Sequence, residues 1–458
     1  MKTKATLYLP LTFLFSFISV IAFAGTLITE EKKDNEPGQV KHPEWSKNLS
    51  IYEINVRQFT KEGTFGALEA LLPRLKELGT DILWIMPINP IGELNRKGTL
   101  GSYYSVKDYM EVNPDFGTKD DFKHFVARAH ELGMYVIVDW VANHSAWDNA
   151  LVKEHPDWYE KDSTGKMLSP YDWTDVVEFN FSNPQMSDYM LNAMKYWVTD
   201  FDIDGYRCDV AGMVPDEFWV NTRNELDKIK PVFMLAEDES PRHHHAFDMT
   251  YGWEFHHIMN KIYKGENTAN DIEKYLKKND SQYPADAYRM NFITNHDENS
   301  WNGTEFERLG DGVKAFYVLT VSVPGMPLIY TGQESGMNKR LAFFEKDAVE
   351  WGDYPMTGFY KTILELKKSN PALFNGFNGG SWTRINTQSD EKVFAILRQK
   401  DNNRVFTIVN LSSKPVIAEL KGDIFKADYS ELFSGEKASL KPGQKIDLPA
   451  WGYKVFYK

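Results

Sequence analysis

The chain has 458 residues, enough for a large core and more than one domain. Its formal net charge of −13 argues against nucleic acid or an anionic lipid surface as a partner. A single cysteine, Cys208, excludes an internal disulfide, and its apolar strand setting reads as a small buried hydrophobe rather than a nucleophile.

Residues 1–24 read as a secretory signal peptide: Lys2 and Lys4 precede an apolar run, and Ala22-Phe23-Ala24 fits the small-x-small cleavage rule. Cleavage after Ala24 removes two lysines and no acid, moving the charge from −13 to −15. We therefore expect an exported protein, periplasmic or extracellular, with no membrane span in the mature chain; a retained N-terminal anchor is the alternative. Residues 25–45 are polar with Pro and Gly and read as a linker.

From Ser50 onward strand-like and helix-like segments alternate. Strands are predicted at 51–56, 81–86, 134–141, 203–208, 232–236, 247–251, 289–293 and 327–330, and helices at 65–78, 119–132 and from about Pro184. Eight such units over 46–375 favour a (β/α)8 barrel over a doubly wound sheet, and no G-x-G-x-x-G follows the first strand. The long gap after the third strand, about 142–183, reads as a small inserted domain. After the turn-rich Gly376-Phe377-Asn378-Gly379-Gly380, short alternating runs predict a C-terminal antiparallel β-sandwich over 376–458.

Chemistry-bearing residues gather at the predicted strand ends, where a barrel of this kind places its active site. The fourth strand carries D-I-D-G-Y-R-C-D-V, whose period-2 alternation puts Gly205, Arg207 and Asp209 on one face. Asp139 ends the third strand, Glu237 follows the fifth, and His296-Asp297 follow the seventh. A structural ion network is the plain reading of such a set. Three carboxylates against one guanidinium, however, leave excess negative charge in a desolvated place, which costs stability. Crowding should push one carboxyl pKa up and make a proton donor, while Arg207 keeps Asp209 ionised. An acid and a nucleophile are the two parts of retaining glycoside hydrolysis.

Four ordered motifs, D-W-V-A-N-H (Asp139 to His144), G-Y-R-C-D (Gly205 to Asp209), M-L-A-E (Met234 to Glu237) and F-I-T-N-H-D (Phe292 to Asp297), resemble those of the α-amylase family of glycoside hydrolases from about Trp45 to Lys458. The resemblance implies a (β/α)8 barrel with an inserted domain after the third strand and a C-terminal β-sandwich. It implies Asp209 as nucleophile, Glu237 as acid/base and Asp297 as the third acid. Arg207, His144 and His296 look like contacts to the same sugar ring, Tyr104 like the family's stacking tyrosine, although Tyr103 replaces the usual glycine, and Asp139 like a support beneath the nucleophile. Asn143 resembles a calcium ligand; no cofactor is implied for the chemistry itself.

This chain departs from the pattern at Gly212-Met213, where many α-amylases carry a Lys-His pair that contacts sugar and helps hold calcium. Val177-Glu178-Phe179-Asn180 replaces the usual P-D-L-N, which leaves bond specificity open. D-V-A-G-M-V-P-D-E-F-W looks closer to the neopullulanase and cyclomaltodextrinase branch. His243-His244-His245 reads as a solvated rim loop, and of Trp140, Trp147, Trp158 and Trp173 one or two are expected in a sugar cleft and the others in the core. The expected activity is hydrolysis of α-glucosidic bonds in starch-like glucans or maltooligosaccharides; a transglycosylase or isomerase, or a silent glucan-binding subunit, are the alternatives.

Overall fold

The computed structural model describes residues 40–458; the signal-peptide reading and most of the linker reading lie outside them. Eight parallel strands close into a barrel: β1 (Ile51–Ile54), β2 (Ile82–Ile85), β3 (Tyr135–Trp140), β6 (Gly205–Cys208), β7 (Phe233–Ala236), β8 (Met249–Tyr251), β9 (Tyr288–Asn291) and β10 (Met326–Tyr330). Between β3 and β6, the short strands β4 (His144–Ala146) and β5 (Val176–Glu178) pair antiparallel and form the heart of the insertion.

Alternation along each strand builds two apolar layers. Ile51, Ile82, Trp84, Ile137, Phe233, Leu235, Met290 and Leu328 fill the barrel interior. Their neighbours Tyr52, Leu83, Val136, Tyr206, Cys208 and Met234 pack outward against the helices. The same alternation carries Glu53, Asp139, Arg207 and, one step past the strand, Glu237 inward at the C-terminal mouth. Gly205 has no room for a side chain: its φ is 147°, and a Cβ there would sit 1.9 Å from the Phe233 carbonyl oxygen.

Three sequence expectations shift for identifiable reasons. The predicted helix 65–78 is two helices, Phe65–Glu69 and Leu72–Leu78, because Pro73 cannot donate to the preceding turn. The seventh strand ends at Asn291 rather than Ile293, where its partner across the ladder is Pro327, which has no N–H. The first strand gives way after Ile54 to a helical turn, Val56–Phe59.

The C-terminal segment forms a six-stranded antiparallel sheet of β11 (Ser381–Arg384), β12 (Val393–Lys400), β13 (Asn403–Asn410), β18 (Tyr453–Tyr457), β15 (Ala427–Glu431) and β16 (Lys437–Leu440), in that order. A smaller sheet pairs β14 (Val416–Glu419) with β17 (Lys445–Leu448). Phe394, Ile396, Val405 and Val409 face the barrel's helices, while Ala395, Leu397, Phe406 and Ile408 face Ala418, Ile446 and Leu448 in a separate sandwich core. Among the described residues no helix is long and apolar enough to cross a membrane.

Candidate active site

The strand ends deliver their polar residues to one cavity of about 500 Å³ at the barrel mouth. At its floor, Arg207 is fully buried and gathers the acids. Its Nη1 lies 2.8 Å from Asp139 Oδ1 and 3.0 Å from Asp209 Oδ1, and its Nη2 lies 3.0 Å from Glu237 Oε2. Its Nε donates to Tyr251 Oη at 3.1 Å. Asp139 also accepts from Trp84 Nε1 at 3.1 Å and from Tyr104 Oη at 3.0 Å, so it is held on all sides beneath Asp209.

The turn after Asp209 is strained. Val210 sits at φ 37°, ψ 47°, a left-handed conformation that costs a β-branched residue about 1–3 kcal/mol. That conformation aims its N–H at Glu237, donating to Oε2 at 2.8 Å. Glu237 is thereby fixed from two directions.

On the other flank, His296 bonds Glu53 Oε1 through Nδ1 and lies 2.9 Å from Tyr104 Oη and 3.3 Å from Asp297 Oδ2 through Nε2. Tyr104 and His296 stack with ring centres 5.6 Å apart. His144, buried and 5.5 Å from the Trp173 ring, completes this side of the cavity. Tyr104, His144, Asp209, Glu237, His296 and Asp297 all line the cavity, with Arg207 and Asp139 beneath them.

Burial decides the electrostatics. It pushes the Asp209 carboxyl well above the usual range, with the Glu237 charge adding and Arg207 opposing. The expectation that Arg207 holds Asp209 ionised therefore needs correcting: one guanidinium is divided among three carboxylates. Burial likewise lifts Asp297 to about 6 against the pull of His296. At His296 burial works downward, but Asp297 and Glu53 outweigh it and raise the imidazole to about 9. Burial keeps His144 neutral, lowering it to about 3, and keeps the Tyr104 hydroxyl a donor by pushing it well up.

Several participants were not foreseen. Glu53 is an acid in the otherwise apolar I-Y-E-I of β1, and its alternation with Ile51 was the available signal. Trp301, Phe343 and Phe344 come from loops after β9 and β10 that carry no motif. Of the four tryptophans, Trp173 lines the cavity, Trp140 and Trp158 are core, and Trp147 donates to the Thr174 carbonyl. The histidine run is not a solvated loop: His243 and His244 are buried, with His243 Nε2 3.2 Å from Asp238 Oδ1 and His244 Nε2 3.0 Å from Thr250 Oγ1. They turn inward because the polar groups of Asp238 and Thr250 wait there.

Asn143 points its side-chain amide at His144 Nδ1, 3.3 Å away, and its backbone carbonyl accepts from Phe179 N at 2.9 Å. Among the described residues no group of three His, Cys, Asp or Glu side chains is placed to hold a metal ion.

Positioned carboxylates around a buried guanidinium, in an aromatic-walled cavity on a (β/α)8 barrel, define a glycoside hydrolase site. Residues 55–177 and 156–410 match the model of the α-amylase catalytic domain, and residues 384–455 match that of the maltogenic amylase C-terminal domain. The chain belongs to the α-amylase family. It is 26% identical over 481 residues to a maltogenic α-amylase of Bacillus acidopullulyticus, covering 92% of this chain and 79% of that one. Among solved structures it is similar to AmyB, a noncanonic maltogenic α-amylase from Thermotoga neapolitana (32% identity, TM-score 0.83, 90% of this chain and 99% of that one). An α-amylase from Lactobacillus plantarum is likewise similar (29% identity, TM-score 0.82, 90% and 99%).

Proposed function

We propose that this glycoside hydrolase cleaves α-glucosidic bonds in starch-like glucans or maltooligosaccharides with retention of configuration, and that it is exported. The observation that carries the mechanism is the shared grip of Arg207 on Asp209 and Glu237. That grip sets the two carboxylates side by side at the cavity floor, the arrangement in which one attacks the anomeric carbon while the other serves the leaving oxygen. Glu237 gives a proton to the departing glycosidic oxygen as the Asp209 carboxylate attacks the anomeric carbon. The glycosyl ester that results is hydrolysed by water with Glu237 as base. Tyr104, His144, His296 and Asp297 hold the ring being transferred, and Asp139 keeps Arg207 and the Asp209 turn in register.

The maltogenic relatives and the maltogenic-type C-terminal domain support an α-glucan as substrate. Fresh products from maltoheptaose are expected to be shorter and in the α-anomeric form by NMR. β-Anomeric products would rule out retention, and products longer than the substrate would identify a transferase. Export rests on the leader-like residues 1–24, and mass spectrometry of the protein recovered outside the cytoplasm should find an N-terminus at Gly25. Because the chemistry runs through carboxylates, calcium near Asn143 would act on stability alone: EDTA treatment should lower Tm, and added calcium should restore it. A Tm unchanged by EDTA would remove the metal.

A further inference from the structure

Three loops that line the cavity latch together along one side of it. The loop after β2 supplies Lys97, whose Nζ lies 3.1 Å from Asp175 Oδ1 and 3.4 Å from the Asp172 carbonyl of the insertion. Two residues on, Thr99 donates through both N (3.0 Å) and Oγ1 to the carboxylate of Glu345, in the loop after β10. Leu100 N donates to the Phe344 carbonyl at 3.0 Å. Between these contacts Gly98 has φ 63°, and a Cβ there would sit 2.5 Å from Phe344 Cβ, so the two loops meet without a gap. Behind them Arg57 donates to the carbonyls of Leu100 and Gly101 at 3.2 and 3.1 Å. The wall is continuous and braced.

Barrel order says which end it closes. The strands run β1-β10-β9-β8-β7-β6-β3-β2 around the ring, so β2 and β10 flank β1 and lie across the mouth from β7, whose end carries Glu237. The acid protonates the leaving oxygen, so the leaving segment extends on the β7 side. The wall therefore faces the opposite, non-reducing end of the chain. Phe343 prolongs the Tyr104–His296 stack toward it, 6.2 Å from Tyr104, with Phe344 5.1 Å beyond.

We propose that the Lys97–Asp175 and Thr99–Glu345 latches close the donor end of the cleft, so that the enzyme cuts short units from the free non-reducing ends of α-glucans rather than at internal bonds. This rests on the proposed α-glucan hydrolysis with Glu237 as acid, and the test separates the two. Two nitrophenyl maltoheptaosides are compared, one with a free non-reducing terminus and one blocked there by a 4,6-O-ethylidene group. The free substrate should be cleaved and the blocked one about 100-fold more slowly, the order of discrimination a closed site achieves. Equal rates on the two would overturn the wall as a barrier. In the double variant Lys97→Ala, Glu345→Gln the blocked substrate should gain about tenfold relative to the free one; no gain in a folded variant would overturn the latches as its cause. Failure to cleave either substrate would instead sink the hydrolase reading. Calorimetric binding of the two sugars to Asp209→Ala protein then decides the wall by itself: weaker binding of the blocked sugar upholds it, and equal binding refutes it.

Discussion

Replacing Asp209 with alanine is expected to lower kcat by about 10⁴-fold or more, since no second group can form the covalent intermediate. The fold should survive, and thermal stability should hold or rise. Asp209 is buried beside Glu237 and Asp139, and its pKa is pushed well up by that burial and by Glu237. Removing it relieves repulsion that the folded state carries for the sake of catalysis, as active sites commonly do. Arg207 keeps Asp139 and Glu237 as partners, so no buried charge is orphaned. The measurement is single-turnover kinetics on maltoheptaose together with differential scanning fluorimetry. Near-normal kcat in the folded variant would remove Asp209 from the nucleophile role. A large fall in Tm would instead show its ion pair with Arg207 to be structural.

How far the sequence foretold this site depends on what kind of information each part needs. The barrel strands are short apolar runs bounded by turns, and the inward acids follow from period 2, so the sequence alone places Asp139, Arg207, Asp209 and Glu237 together. The charge sharing is not legible there, because it depends on the angles at which the strand ends converge. A lone Arg207–Asp209 pair suggests an ionised aspartate, whereas Arg207 divided among Asp139, Asp209 and Glu237 leaves that aspartate pushed upward. The cleft wall was hidden for a related reason. Lys97, Asp175 and Glu345 lie in separate loops with no local pattern, and only the closure of the ring brings them together. Pro73 and Pro327 each gave a local signal, a missing N–H, that bore on where an element ends. The buried histidines gave none, since a His-rich run looks the same in sequence whether its partners are water or Asp238 and Thr250.

The protein is expected to lose stability steadily between pH 6.5 and 9, and two histidines are the reason. His42 lies with Nδ1 2.8 Å from Asp248 Oδ1 and Nε2 3.1 Å from the Asp286 carbonyl. Burial lowers its pKa, but those two acids more than compensate and lift it to about 9. Asp248 in turn accepts from Arg223 and from Met234 N, so His42 pins the chain leading into the barrel to the base of β7 and β8. His296 reaches about 9 on the catalytic face through Asp297 and Glu53. A histidine whose pKa is higher folded than unfolded binds its proton more tightly in the native state. Its contribution is complete below about 6.5 and disappears as pH climbs through about 9, at about 3 kcal/mol for a shift of this size. Either one is a large share of a typical net stability. On the acid side His144 and His244, both lowered to about 3 by burial, work the other way and cost stability as pH falls below 6.5. Tm should therefore peak near neutrality. His42→Gln should lower Tm at pH 6.5 yet flatten its decline toward pH 9, leaving the part due to His296. A wild-type Tm that stays level from pH 6.5 to 9, or a His42→Gln curve parallel to wild type, would show that these imidazoles are not protonated in the folded chain.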